Sequence, residues 1–224
     1  MKMNFPSRYE AALTLFEVAV VIAILMVLAL LLLAALGNGK RKTSRIGCNN
    51  NLKQVGLAYR IWEGDNGDLN PMGVSIKNGG SMELVQMGDA VSTFQVMSNE
   101  LSTPKILVCC GDEPGQGDTS RTFATNFNAL SNSNVSYLVG VDVTNEINPQ
   151  LILSGDSNFE IGGKPVKAGL LSLWKNDPVA WQPPRHGANG NLGFADGNVQ
   201  STTTSGLRAH LVQTGLATIR LAIP

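Results

Sequence analysis

The sequence predicts an α+β chain in which one long amino-terminal helix precedes a small antiparallel β-sheet domain. Three observations predict it. Residues 19–36 are eighteen successive residues without a polar side chain. Past an interruption at Gly37-Asn38-Gly39, Ile46, Leu52, Val55, Leu57, Tyr59, Ile61 and Trp62 include several pairs three or four apart, the pattern of a helix with one apolar face. Beyond residue 64 the chain is rich in glycine, asparagine and serine, and charged residues make up only 15% of the whole, a usage that favours a loop-rich sheet over a helical bundle.

The apolar run sets the outline. At about 1.5 Å per residue it spans roughly 27 Å as a helix, close to the ~30 Å hydrocarbon core of a bilayer. Its residues are apolar on all sides, so no stripe is singled out to pack on a soluble core. A cleaved secretory signal has a shorter apolar stretch of about 7–15 residues and ends in a small-residue cleavage motif. This run instead leads into Lys40-Arg41-Lys42 and Arg45, a cluster suited to anionic headgroups. The expected organisation is a polar leader at 1–12, a retained transmembrane helix at 13–36, a spine-like helical continuation at 37–63 and a globular domain at 64–224. Glu17 interrupts the apolar run near its edge, where a carboxylate either reaches water or needs a partner. Glu63-Gly64-Asp65-Asn66-Gly67-Asp68, with Pro71 beyond, ends the helix.

Within the domain, short helices are expected at 81–90 and 92–101, the second capped by Ser92 or Thr93. Short β-type runs stand at 105–109, 135–141, 151–153, 192–195 and 198–202. Residues 111–120 read as loop, 157–184 as loop with a turn or two, and Leu207, Leu211, Leu216 and Ile219 as a closing helix or strand. Leu192 and Phe194 alternate with small residues, and Asp196-Gly197 is expected to join the last two runs through a type I′ turn.

Chemistry-bearing residues are sparse. Lys plus Arg and Asp plus Glu each number 17, so the charge balance carries no nucleic-acid footprint. His186 reads either as a metal ligand or general base with Asp196, or as a tie from the hairpin's leading strand to a carbonyl or to Asp196; His210 is the only other histidine. Asp65, Asp68, Asp112, Glu113, Asp118 and Asp156 lie in glycine-rich stretches and offer hard oxygen ligands for a structural Ca²⁺, without the spacing of a recognised calcium loop, so turn chemistry is the simpler account. Of the cysteines Cys48, Cys109 and Cys110, the adjacent pair is poorly placed to bond to itself. A Cys48–Cys109 bridge would close a loop of about 60 residues at a gain of roughly 4 kcal/mol; buried free thiols are the alternative reading. There is no Gly-x-Ser-x-Gly elbow, phosphate-binding glycine loop or His-Glu-x-x-His pair, and no enzyme is expected. Ser154-Gly155-Asp156, Trp174 and Trp181 are read as core, not as a ligand groove.

Leu13-Thr14-Leu15-Phe16-Glu17, followed by the apolar run, resembles the start of mature type IV pilins and type II secretion pseudopilins. The resemblance implies cleavage by a prepilin peptidase between Ala12 and Leu13, N-methylation of Leu13, and a role for Glu17, fifth in the mature chain, in pairing with a terminal amine in the assembling filament. The family has glycine before the cut and phenylalanine or methionine after it; here those places hold Ala12 and Leu13. His186 precedes Asp196-Gly197 by nine intervening residues, matching the H-X9-DG pattern of a bacterial group of pilin-like proteins. That group also has an asparagine-leucine-lysine-glutamine run past the membrane helix, here Asn51-Leu52-Lys53-Gln54, preceded by a cysteine, here Cys48. Its second cysteine, before a proline-serine-aspartate stretch, corresponds to Val108-Cys109-Cys110-Gly111-Asp112.

The resemblance implies a pilin-like fold with the helix packed on a small sheet, and a calcium in some secretion pseudopilins. The partners it implies are copies of the chain itself, a prepilin peptidase, the secretion or pilus machinery and the lipid bilayer. It also implies a single-pass inner-membrane protein whose carboxyl-terminal domain lies outside the cytoplasm, in a periplasmic or surface filament. Charge points the other way: the leader carries Lys2 and Arg8 against Glu10, and four basic residues follow the run, a count that places the domain inside. The expectation adopted follows the resemblance. Three functional readings result: a filament subunit, a membrane-tethered binding module that does not polymerise, and a tethered metal-dependent enzyme centred on His186.

Overall fold

The structure, a computed structural model, describes residues 14–112, 121–145, 147–183 and 185–224, with the backbone alone for 33–44. The leader, Ala12, Leu13, Glu113 and Asp118 lie outside the described residues. The chain divides after Lys40 into two compact units, and the first helix, α1 (Leu15–Asp65), contributes to both.

In the first unit α1 opens on a reciprocal cap. The Glu17 N–H donates to Thr14 Oγ1 at 3.3 Å, while the Thr14 N–H and hydroxyl donate to Glu17 Oε2 at 2.8 and 3.0 Å. This Thr-x-x-Glu capping box satisfies donors that a helix start leaves orphaned. The following eighteen-residue stretch Leu15–Leu32 has a mean hydropathy of 3.1, is long and apolar enough to cross a membrane, and buries none of its residues within the protein. Gly37-Asn38-Gly39 stays helical.

In the second unit α1 becomes one-sided. Cys48, Leu52, Val55, Tyr59 and Trp62 are buried at alternating spacings of four and three, a single seam along the helix. Ile46, Leu57 and Ile61, grouped with that face on sequence, point outward at 62%, 60% and 47% exposure.

The core of this unit is a six-stranded sheet of β1 (Tyr137–Gly140), β2 (Ile152–Asp156), β5 (Gly169–Trp174), β7 (Asn189–Phe194), β8 (Val199–Thr203) and β9 (Thr218–Ile223), in the order β5-β9-β1-β2-β7-β8. Every pairing is antiparallel. A smaller antiparallel sheet, β4-β3-β6, comprises β3 (Phe159–Ile161), β4 (Lys164–Pro165) and β6 (Val179–Trp181). The large sheet is covered on both faces at its centre, where every residue of β1 and β2 is buried, while the edge strands β5 and β8 are partly exposed. Tyr137, Val139, Leu153 and Ala222 pack with the α1 seam, and Leu138, Ile152, Leu192, Phe194, Leu221 and Ile223 form a second core. Helix α5 (Thr204–Gln213) contributes Leu207 and Leu211 to that second core, and is tied to β6 by Arg208 Nε donating to the Val179 carbonyl at 2.7 Å.

Several local expectations change. The two helices between 81 and 101 are three short ones, α2 (Met82–Gln86), α3 (Ala90–Val96) and α4 (Ser98–Leu101); α3 is capped by Asp89, whose carboxylate accepts from Val91 and Ser92, in place of a Ser92 or Thr93 cap. The run at 105–109 is no strand: Pro104 opens a 3₁₀ turn, Pro104–Leu107, and Thr103 caps it. Residues 157–184, read as loop, hold four short strands. The closing segment is both a helix and a strand. In the hairpin, only Gly197 has positive φ (+80°), not Asp196, and Gly197 N–H donates back to Phe194 at 2.9 Å. The connection is thus a three-residue loop ending in a left-handed glycine, not a type I′ turn.

Gly190 on β7 is dictated by packing. A Cβ there would sit 2.4 Å from the ring of the buried Trp181, a distance that forces a shift in a close-packed core. Gly190→Ala is expected to cost about 1–3 kcal/mol of stability, read as a lowered denaturant midpoint at unchanged m-value.

Candidate functional site

The densest collection of chemistry-bearing side chains lies where the chain after the 104–107 turn meets the ends of β1 and β2 and the turn ahead of β7. Arg185 is buried, and its Nε donates to Asp112 Oδ1 at 2.9 Å, its Nη2 to Asp112 Oδ2, and its Nη1 to the Ser136 carbonyl at 3.1 Å. Asp112, also buried, accepts the Ser136 hydroxyl at 2.8 Å, and Ser136 Oγ in turn accepts the Cys109 N–H at 3.0 Å. Asp156 Oδ1 lies 3.8 Å from Arg185 Nη1. Its Oδ2 receives both the backbone N–H and the side-chain amide of Asn191, at 2.8 and 2.9 Å.

His186 completes the group. It holds a left-handed backbone at φ +54°, a conformation uncommon for a residue with a Cβ. This turns the ring inward to 1% exposure. Its Nε2 lies 3.1 Å from Cys109 Sγ and 3.7 Å from Asp156 Oδ2. Cys109 is bonded to Cys48 of α1, with Cα atoms 5.2 Å apart. Burial pushes the Asp156 carboxyl above its ordinary range, against the pull of Arg185, His186 and the two Asn191 donors. Burial likewise holds the His186 imidazolium below its usual pKa, with Asp156 opposing. Both shifts favour neutral partners over buried charges.

Of the residues singled out on sequence, His186, Cys48 and Cys109 are therefore brought together. Asp196 is not among them. It is exposed in the hairpin loop, where its carboxylate accepts the Asn198 N–H at 2.8 Å, so neither the ligand pair nor the tie proposed between His186 and Asp196 forms. Gly197 serves the turn. Asp112 and Asp156, grouped on sequence as loop acids for calcium, are buried partners of Arg185 and His186. Trp181 is core, whereas Trp174 is 60% exposed. Sequence reasoning missed Arg185, Ser136 and Asn191. It also missed the cap made by Thr14, although Thr14-x-x-Glu17 ahead of an apolar run is a readable capping signature.

With the His186 ring closed from solvent and its Nε2 set against the bonded Cys109 sulfur, the arrangement acts as a clamp. It joins α1 covalently to the 108–112 segment and that segment ionically to the turn before β7.

Arg185→Ala would leave the Asp112 carboxylate buried without its guanidinium, a change worth about 3–5 kcal/mol. The expected result is a large fall in the unfolding midpoint, with Asp112→Asn/Arg185→Met recovering part of it.

No family model, curated protein or solved structure matches this chain, so its functional reading rests on its own residues and geometry.

Proposed function

We propose that this chain is a structural subunit stored in a membrane by α1, processed between Ala12 and Leu13 by a prepilin-type peptidase, and assembled with copies of itself into a filament of the type IV pilus or type II secretion pseudopilus kind. The observation that carries the reading is the change of character along α1. Leu15–Leu32 is apolar but for Glu17 and unburied throughout, while Cys48, Leu52, Val55, Tyr59 and Trp62 are buried in the α+β domain. An apolar surface of that extent needs a covering. Lipid covers it in the stored subunit, and the matching helices of other copies cover it in the filament.

The Cys48–Cys109 bridge supports placing the domain outside the cytoplasm, because such bonds persist in oxidising compartments. This weighs against the orientation that the basic residues alone would suggest. Glu17 has two parts in the reading. In the single chain its carboxylate accepts from Thr14, which lowers the cost of an acid at the edge of an apolar helix. Cleavage before Leu13 would create an amine one residue from that cap, the group with which the carboxylate of a neighbouring copy pairs. Activity in this reading is assembly, and no catalytic residue is assigned.

Mass spectrometry of the native amino terminus is expected to find a chain beginning at N-methylated Leu13. An intact Met1 on a strictly monomeric protein would favour the tethered binding module instead. Glu17→Gln separates the two parts of Glu17. Glutamine keeps an acceptor oxygen for the Thr14 N–H, so membrane insertion is expected to persist, while filament cross-links between copies fall to background; assembly at the wild-type level would reduce Glu17 to a helix cap.

A further inference from the structure

Three soft ligand atoms converge at the clamp. Cys48 Sγ, Cys109 Sγ and a ring nitrogen of His186 all lie within 4.8 Å of one another, and His186 Nε2 is already 3.1 Å from Cys109 Sγ. One further observation shows that the surroundings suit charged sulfur, and a second concerns the ring. The Cys110 N–H donates to Cys48 Sγ at 3.0 Å and the Gly111 N–H to Cys109 Sγ at 3.4 Å, so each sulfur has a backbone donor of the kind that stabilises a thiolate and tunes a metal bound to it. The His186 side chain is almost wholly buried and its Nδ1 has no hydrogen-bond partner among the described residues. The ring is therefore held by its position between Cys109 and Asp156, with Nε2 directed at the sulfur. Asp156 Oδ2 lies 3.7 Å from that nitrogen.

We propose that Cys48, Cys109 and His186 form a redox-gated site for one Zn²⁺, in which the bridge and the metal are alternative occupants of the same sulfurs. In the bridged state the S–S bond uses the electron pairs that thiolates would offer a metal, the sulfurs are neutral, and no cation binds. A dithiol reductant gives two electrons and two protons to the Cys48–Cys109 bond and is itself oxidised to a disulfide. Zn²⁺ then replaces the two thiol protons, which leave to solvent, and accepts the lone pair of Nε2. Two thiolates and an imidazole make a soft set that selects zinc over calcium or magnesium, and three protein ligands leave the fourth tetrahedral position for water. The bridge closes a loop of 61 residues in sequence separation, and the metal would span the same segments. Zinc would thus restore in the reduced protein the clamp that the disulfide supplies in the oxidised one. The inference stands independently of the filament reading.

The test uses the full chain in detergent micelles, reduced with a dithiol and desalted under argon, with Zn²⁺ alone as the probe and Ca²⁺ as comparator. The reduced wild type is expected to take up one Zn²⁺ per chain and no Ca²⁺. Its thermal midpoint, lowered by reduction, should recover on adding zinc, and Co²⁺ should give thiolate-to-metal charge-transfer absorption. The oxidised protein should bind neither metal. His186→Asn, chosen because asparagine tolerates the left-handed backbone, should keep the bridge and the far-ultraviolet circular dichroism of the oxidised wild type yet bind zinc at least about tenfold more weakly when reduced. Cys48→Ser should lose the site. Reduced wild-type protein that takes up no zinc, or a reduced His186→Asn variant that binds it as tightly as the wild type, would overturn the proposal. Zinc uptake by the oxidised protein would do so too.

Discussion

The domain depends on the burial of one guanidinium. An isolated charge taken out of water costs several kcal/mol, and it is tolerated only when its partners are fixed by the rest of the fold. Arg185 meets that condition because Asp112 receives two of its donors and the Ser136 carbonyl a third. Asp112 is itself placed by a turn in which its N–H donates to the Cys109 carbonyl at 2.8 Å, and the same turn delivers Cys109 to Cys48. One short segment, 108–112, thus carries an ionic tie to the turn before β7 and a covalent tie to α1. A buried pair of this kind contributes less to net stability than to uniqueness: slipping β7 by one residue would reverse its faces and strand both charges.

That constraint explains which parts were legible. The apolar run and the end of α1 at Asp65 follow from composition and glycine chemistry close in sequence. The spine's seam was half legible, because α1 carries two apolar stripes, and only the position of the sheet decides that Cys48, Leu52, Val55, Tyr59 and Trp62 turn inward while Leu57 and Ile61 stay out. The strands between 159 and 181 were illegible for a different reason. They are two to six residues long, and β5 owes its existence to β9, whose Ile219 and Leu221 lie opposite Leu173 and Leu171. At 105–109 the apolar residues suggested a strand, but Pro104 with the Thr103 cap favoured a 3₁₀ turn. The site was legible only as separate motifs. Arg185 stands next to His186, yet its partner is 73 positions earlier, and nothing in an aspartate or arginine taken alone signals burial, since both are usually exposed.

His186 shows how a motif residue can be placed correctly and partnered wrongly. The hairpin does form, and Asp196-Gly197 does turn it, but the loop's carboxylate is spent on its own Asn198 N–H. A positive φ at His186 sends the ring away from the hairpin tip, toward Cys109 and Asp156. The spacing between the histidine and the Asp-Gly pair therefore measures the length of β7 with its turn: His186 marks the anchored end of the strand, at the clamp, and Gly197 the solvent-facing end. Substituting either would act on different physics, packing and electrostatics at one end and backbone conformation at the other.

The same distinction between local and assembled roles applies to Glu17. On composition alone an acid inside an apolar helix looks expensive enough to demand a partner in another molecule. In the structure much of that cost is already offset within the chain, since one oxygen accepts both donors of Thr14, and a carboxylate at a helix start also complements the positive end of the helix dipole. An assembling partner therefore has less to supply than a full desolvation energy. Under the proposed processing, a new amine would compete with a threonine for one carboxylate and would carry the full charge that the threonine lacks. Under that proposal, a residue capped in this way would be tolerated in the membrane without being locked there, the balance that storage in lipid and later withdrawal would require.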